Sequence, residues 1–355
     1  MERFEKTREL LLEHYRRYPK LKLQDLFKYL YQSAFGCEHF APATDVATDR
    51  IREEYNRYDK RDGALIEPLD GDYSRVNLSY LRCGLSAEVL GKIFCASAKS
   101  EPHGKEKLES RLDALRKLVD ENELPFSKDE LENAASEWKA AGYPSLHHSD
   151  VFRECYKPAY RVVSNRFVPF LPVLAEIDKR LKEGRLTVAI EGSSASGKST
   201  LADMLKGIYG CTVFHMDDFF LRPEQRTEQR YAEVGGNVDR ERFLSEVLIP
   251  LSEGRAVDYR KFNCSEMALE PAIKIIPDKL TVVEGAYSMH PDLAGYYGLA
   301  VFLDVDREVQ KKRISKRNTP KMAERFFNEW IPLEKIYFSE MLIKERCDIS
   351  VAIAE

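Results

Sequence analysis

The sequence predicts an α/β unit built on a parallel, helix-covered sheet, preceded by a mainly α-helical N-terminal half. Two observations carry this. From Arg185 onward, short apolar runs alternate with longer charged stretches of helical character, and alternating strands and helices imply a parallel sheet covered by helices. Before that point apolar residues recur at helical spacing, and the change falls near Glu183-Gly184. The expected domains are 1–182 and 183–355, and a length of 355 residues suits two domains.

In the first half, Phe4, Leu10, Leu11, Leu12 and Tyr15 share one face of an opening helix that ends at Tyr18-Pro19. Leu23, Leu26, Phe27, Leu30 and Tyr31 define a second helix through Ala34, stopped by Gly36. A charged amphipathic helix is expected from Asp45 to Tyr58, followed by a turn-rich segment with two Asp-Gly pairs. Arg75 to Leu81 reads as a short strand. Further helices are expected from Ser86 to Cys95, Lys105 to Val119 and Lys128 to Ala141, with Trp138 packed in the bundle. YKPAYRVV carries β-branched residues, and a long helical stretch runs from Val168 to Leu181.

In the second half, LTVAI is a continuous apolar run suited to a buried parallel strand. A glycine-rich turn and a helix from Ser199 to Tyr209 follow. CTVFHM, KLTVVEG, LAVFLDV and CDISVAI complete the strands. Helices are expected from Asp239 to Leu251, Arg307 to Arg317 and Ala323 to Ile343.

Composition narrows the function classes. Lysine and arginine total 55 against 59 acids, a net charge of −4, which argues against a nucleic-acid-coating protein. The longest strongly apolar stretch, Phe167 to Ala175, is broken by Pro169 and Pro172 and is too short to span a bilayer. Charges every few residues leave the N-terminus without a signal-peptide core. With seven scattered cysteines, the expectation is a cytoplasmic protein with reduced thiols.

The string Gly192-Ser193-Ser194-Ala195-Ser196-Gly197-Lys198-Ser199, followed by Thr200, matches G-x-x-x-x-G-K-[ST], with an apolar strand before it and a helix after it. Glycines let the backbone curl so that N–H groups face phosphates, and the helix N-terminus adds positive potential. Lys198 suits the β- and γ-phosphates of ATP, and the Ser199 hydroxyl suits magnesium. The second strand ends in Asp217-Asp218, the third in Glu284, and strand C-termini face the ligand crevice in such sheets. Asp217 or Asp218 is a candidate general base, the other reading being a capping acid. In an extended strand end their side chains would point to opposite faces. Glu284 suits the magnesium shell, or is a turn glutamate. Arg313 and Arg317 lie four apart on a basic helix, suited to a transferring phosphoryl group or to solvent.

GSSASGKST, MDDFF, VVEGAYS and FLDVDREVQKKRISKRN, in that order, resemble the uridine kinase and phosphoribulokinase group of P-loop kinases over roughly residues 185 to 355. The resemblance implies a P-loop kinase domain that uses ATP and Mg2+ to phosphorylate a hydroxyl of a small metabolite, such as a nucleoside. It implies that Asp217 deprotonates the acceptor, that Glu284 lies near magnesium with Ser199 and Asp217, and that Arg313 and Arg317 close over the phosphates. Asp218, Asp239 and Phe262 fall where members of the group hold their substrate. Where uridine kinases carry a tyrosine-centred segment followed by a histidine, this chain reads DYRKFNCSEM, with Phe262 and no histidine. The segment before Asp239, Gly235-Gly236-Asn237, also departs from the group's pattern.

The first half carries weaker signals. Cys37, His39, Cys83 and His147 are candidates for zinc or thiol chemistry, although none shows paired C-x-x-C spacing, and the bland reading is a buried cysteine with satisfied histidines. Arg153, Lys157, Tyr160 and Arg161 form a basic, aromatic stretch suited to an anionic ligand or to covering a domain seam. Two rivals to a simple kinase stay open. One is a nucleotide-controlled binding protein, the other a fusion whose first half acts on the same metabolite. The expected partner is a small-molecule hydroxyl acceptor, with neither nucleic acid nor membrane.

Overall fold

The computed structural model describes residues 2–37, 42–57, 64–98 and 101–353. It divides into two compact units, Met1–Leu171 and Pro172–Glu355.

The first unit contains helices α1 (Glu2–Arg17), α2 (Leu23–Phe35), α3 (Thr44–Arg57), α4 (Ala87–Ser97), α5 (Gly104–Asp120), α6 (Lys128–Ala140) and α7 (Asp150–Tyr156). Strands β1 (Ile66–Pro68), β2 (Tyr73–Asn77) and β3 (Tyr160–Ser164) form an antiparallel sheet with β2 in the middle. α2 is the hub: nearly every residue in it is buried, and Leu26 and Leu30 are inaccessible together with Leu108, Leu115 and Leu118 of α5. Each such leucine contributes about 1.5–3 kcal/mol relative to exposure. Ser86, Ser127 and Ser149 cap α4, α6 and α7 through their side-chain oxygens, each worth roughly 1 kcal/mol.

The strand expected over Arg75 to Leu81 instead occupies β2. Asn77 ends it by accepting from Ser79 N at 2.8 Å, which turns Leu78–Cys83 into a 3-10 helix. The Val168 to Leu181 helix is likewise split, with a 3-10 turn over Val168–Phe170 before α8 (Leu171–Arg180).

α8 falls with the second unit, so the division lies earlier than the boundary expected at 182. Physical ties explain this. The Tyr209 hydroxyl donates to Asp178 Oδ1 at 2.9 Å and lies 3.3 Å from the Leu174 carbonyl, and Arg180 donates to the Gly298 carbonyl and to Asp348.

In the second unit, β4 (Leu186–Gly192) leads through a loop into α9 (Lys198–Tyr209) and β5 (Thr212–His215). Four short strands follow, β6 (Val257–Tyr259), β7 (Phe262–Asn263), β8 (Ala268–Leu269) and β9 (Ile273–Ile275), paired β6 with β9 and β7 with β8. β10 (Leu280–Glu284), β11 (Leu299–Val305) and β12 (Ile349–Ile353) complete a five-stranded parallel sheet of order β12-β11-β4-β10-β5. Val188, Ile190, Val282, Val283, Val301 and Leu303 are inaccessible in its centre. A strand buried on both faces needs such an uninterrupted apolar run.

Two expected helices are interrupted. Asp239 to Leu251 becomes Arg240–Phe243, a π-turn over Leu244–Leu248, and Ile249–Ser252. Ala323 to Ile343 becomes Pro320–Arg325, a π-turn over Phe326–Trp330, and Ile331–Glu340. Both π-turns directly precede a proline-bearing turn, at Pro250 and Pro332. Proline lacks the N–H of the regular ladder, and a one-residue wider turn shifts the register around it. No helix among the described residues is long and apolar enough to cross a membrane.

Candidate active site

β4 is interior to the sheet, so the loop after it leaves from a fixed point. Gly192 has φ 146°, and a Cβ there would sit 2.6 Å from the Leu303 carbonyl oxygen of neighbouring β11. Ala195 (φ 61°) and Gly197 (φ 103°) are also left-handed, and the loop curls back on itself, Ser196 N donating to Ser193 O at 3.1 Å. The first N–H groups of α9, on Lys198, Ser199 and Thr200, have no intrahelical acceptor and face outward from the helix start. Lys198 Nζ donates to the carbonyls of Gly192 at 2.8 Å and Ser193 at 3.0 Å, so the ammonium lies along the loop.

The neighbouring strand ends converge on this loop. β10 pairs with both β4 and β5, placing Glu284 opposite Ile190 on one side and His215 on the other. Ser199 Oγ donates to Glu284 Oε1 at 3.1 Å, and His215 Nδ1 lies 2.6 Å from the same oxygen. The Glu284 carboxylate raises the His215 pKa through that hydrogen bond. Gly285 (φ 143°) permits close approach, because a Cβ there would meet the Met216 side chain at 2.6 Å.

Met216–Asp218 form a 3-10 turn and not an extended strand end, so strand alternation is not what separates the two aspartates. The turn separates them nonetheless. Asp217 is open to solvent yet surrounded by protein on most sides. That crowding raises its pKa, Lys198 pulling it down and Glu284 pushing it up. Asp218 turns toward the short strands: it accepts from the Tyr259 hydroxyl at 2.6 Å and pairs with Lys261 at 3.2 Å.

Asp239 is almost inaccessible. It caps Arg240–Phe243 by accepting from Arg242 N at 3.2 Å, pairs with Arg222 at 3.2 Å, and its own N–H binds Phe219 O at 2.8 Å. Phe262 is buried in the β7–β8 hairpin beneath the Arg226 guanidinium, 5.6 Å from its ring. Arg313 reaches the loop, donating to Ala195 O at 3.3 Å, while exposed Arg317 lies 5.4 Å from the Phe326 ring. The two arginines therefore have different neighbours despite their shared spacing.

Several residues around the loop were not singled out from sequence. Glu334 accepts from Ser194 N at 2.9 Å and from Ser194 Oγ at 2.6 Å, and burial raises its pKa. Gln310 Nε2 donates to Ser194 O at 2.9 Å. Glu191, fully buried in β4, accepts from Gly192 N at 2.9 Å, Met289 N at 3.1 Å and the Tyr337 hydroxyl at 3.1 Å, and burial pushes its pKa up to about 7. His215 precedes Met216-Asp217 at a strand end and was findable by that position. Glu334 lies inside a helix stretch whose sequence reads as ordinary packing.

In the first unit, His39 lies outside the described residues. Cys37 is buried, with Sγ 3.6 Å from Phe94 O, and burial pushes its thiol up to about 12. Cys83 is exposed. Among the described residues no three His, Cys, Asp or Glu side chains gather as a metal site.

Residues 187–325 match the model of the phosphoribulokinase/uridine kinase family. No curated protein sequence matches the chain. It is similar to the solved structure of a possible uridine kinase from Bacillus stearothermophilus, with 19% identity, 50% of this chain and 99% of that one covered, and a TM-score of 0.38. A putative fructose transport system kinase from Silicibacter sp. is 20% identical over 47% of this chain and 89% of its own, with a TM-score of 0.39. Shikimate kinase from Aquifex aeolicus is 18% identical over 47% and 85%, with a TM-score of 0.25. With its strand–loop–helix start and parallel sheet, the second unit has a P-loop kinase fold.

Proposed function

We propose that the chain is an ATP- and magnesium-dependent phosphotransferase whose second unit passes the γ-phosphoryl group of ATP to a hydroxyl of a small metabolite, a nucleoside being the acceptor that the family match favours. The observation that carries this reading is the Ser199–Glu284 contact at 3.1 Å. It joins the loop hydroxyl to a carboxylate on the next strand, with Asp217 at the end of the strand beyond.

The residues fit the groups they would hold. Ser199, Glu284 and Asp217 offer hard oxygen donors of the kind magnesium takes. Gly192 through Thr200 offer a curled backbone and a helix N-terminus suited to a polyphosphate. Ser196 Oγ, inside the loop, is buried with no hydrogen-bond partner among the described residues, as expected of a loop shaped around a ligand. Magnesium, when bound, neutralises charge on the β- and γ-phosphate oxygens.

In this reading Lys198 swings from the loop carbonyls to the phosphates. Asp217 accepts the acceptor's hydroxyl proton while the acceptor oxygen bonds to phosphorus and the bond to the ADP oxygen breaks. Its raised pKa makes it a stronger base than an ordinary aspartate. Arg313 and Arg317 offset charge on the phosphoryl oxygens. Asp218 and Phe262 shape the acceptor side. Asp239 acts there as a positioning residue, through Arg222 and Arg242.

The test is ADP release by purified chain with ATP and magnesium over a panel of nucleosides and sugar-like alcohols. Acceptor-dependent release that disappears in Lys198→Ala, with the variant's melting temperature kept, is the expected result. Release that no acceptor stimulates, or that survives in Lys198→Ala, removes the kinase reading.

A further inference from the structure

The first unit carries a cavity of about 700 Å3 open to solvent, walled by α2, α3, α4 and the 146–162 segment. Pockets that hold small molecules run from about 300 to 1,000 Å3 and combine apolar walls with a few placed polar groups. This one does both. Tyr31, Phe94 and Tyr160 line it with aromatic rings, and Pro42, Ala159 and Val162 add apolar surface.

Its charge is one-sided. Lys28, Arg50, Arg57, Arg153, Lys157 and Arg161 line it, against the single carboxylate of Glu54. Glu54 is bound by Arg161 through two hydrogen bonds, at 2.8 and 3.0 Å, and so offsets one of these cations. Arg57 and Arg153 have Glu53 and Asp150 at 4.0 and 3.9 Å, at exposed positions on their own helices. Arg75, inaccessible to solvent, lies 4.7 Å from the centre of the Tyr160 ring and is paired with Glu67 at 3.4 Å, so it braces that ring without adding to the excess. The chain as a whole is net negative at −4, so composition alone does not explain this excess.

The polar groups are held in place. Lys28 Nζ donates one hydrogen to Leu146 O at 2.7 Å, and an ammonium has three to give. Burial and the nearby Arg75 and Arg153 pull its pKa down to about 8, a crowding that a bound anion would relieve. Tyr160 is fixed through its hydroxyl, 2.7 Å from His148 Nε2, whose Nδ1 lies 3.0 Å from Asp25. Asp25 also accepts from Lys22 N at 2.9 Å, from Ser149 N at 2.9 Å and from Ser149 Oγ at 2.6 Å, so the relay ends on an immobile carboxylate.

We infer that this cavity is a binding site for a phosphorylated small molecule, its phosphate held by Lys28, Arg50 and Arg153 and its ring or sugar laid against Tyr31, Phe94 and Tyr160. Several cations lining one cavity suit a dianionic phosphate better than a single carboxylate. The aromatic walls suit an organic body larger than the anion itself. The site rests on the first unit alone and stands whether or not the second unit is a kinase.

The experiment is calorimetric titration of the full chain with inorganic phosphate, ribose 5-phosphate and uridine 5′-monophosphate. The P-loop is kept saturated with a non-hydrolysable ATP analogue and magnesium. At least one organic phosphate should bind more tightly than inorganic phosphate and weaken as salt is raised. Arg50→Glu with Arg153→Glu, both exposed positions, should lower that affinity about tenfold or more with the melting temperature unchanged. Should this double variant melt early, Lys28→Gln replaces it with the same expectation. No binding of any of the three probes, or binding that the cavity variants leave intact, overturns the inference. Binding of inorganic phosphate as tight as that of the organic phosphates overturns the assignment of the aromatic walls.

Discussion

Asp217 and Asp218 are adjacent in the chain and serve different neighbourhoods. Asp217 sits within electrostatic reach of Lys198 and Glu284, while Asp218 is gripped by Tyr259 and Lys261. Asp217→Asn keeps the size but cannot take a proton, so turnover should fall by about 10² or more with nucleotide affinity changed far less. Asp218→Asn should act chiefly on the acceptor's KM. The raised pKa of Asp217 also sets a direction. As the proposed base it acts ionised, so the acid limb of the wild-type kcat profile should lie above the usual aspartate range, and it should vanish from the residual activity of Asp217→Asn. Equal turnover in both asparagine variants and the wild type would leave the pair as capping acids.

Glu191 links the same loop to stability. Burial raises its pKa from 4.5 to about 7, so the folded chain holds a proton that the unfolded chain releases. The stability this contributes is complete below the unfolded value and is lost as pH rises through the folded one. Between about pH 5 and 8.5 the wild-type melting temperature should therefore fall by several degrees relative to Glu191→Gln. Parallel pH curves for the two proteins would show that Glu191 does not titrate in that window.

At the scale of elements, ownership of α8 is the sharpest question. Its ties through Asp178 and Leu174 to Tyr209, and through Arg180 to Gly298 and Asp348, all lie within the second unit. A fragment of residues 172–355 should fold and bind ATP with magnesium. A fragment starting at Glu183 should melt several degrees lower, since it leaves the Tyr209 hydroxyl without its partners. Equal melting of the two fragments would place α8 outside the cooperative unit. The elements also differ in how far sequence foretells them. β4, β10 and β11 were visible because a strand buried on both faces must be apolar throughout. The prolines at 250 and 332 were equally visible, but whether a helix breaks or widens at a proline depends on what packs around it. β6 to β9 escaped because they are two or three residues long and partly exposed, as Ile273 and Lys274 are, which leaves no periodicity to read.

Over the whole molecule, the phosphate side of the candidate site was legible and the acceptor side was not. The loop motif is contiguous, register sets Glu284 beside His215, and Asp217 follows two residues later in the turn after β5. Glu334 and Tyr259 come from distant segments, and only tertiary packing brings them to the loop and to Asp218. The basic stretch from Arg153 to Arg161 was visible as composition, but its cavity needs α2 and α3 beside it, which no local pattern announces.

The sheet order has one more consequence. β5 pairs only with β10 among the described strands, so it is a sheet margin, and the excursion from residue 216 to residue 279 departs from that margin. The excursion leaves from the rim, yet Phe219, Phe243, Val247, Leu248 and Tyr259 within it pack into one core with Ala189, Phe214, Val283 and Phe302 of the sheet. Only its stretches outside that core can change length without disturbing the sheet. In the proposed function, those stretches are where the choice of acceptor can change while the loop after β4 stays constant. Under the proposed function, exchanging residues 220–279 while keeping Asp217 and the core contacts of Phe243, Val247 and Tyr259 should change the acceptor preferred and leave nucleotide binding in place.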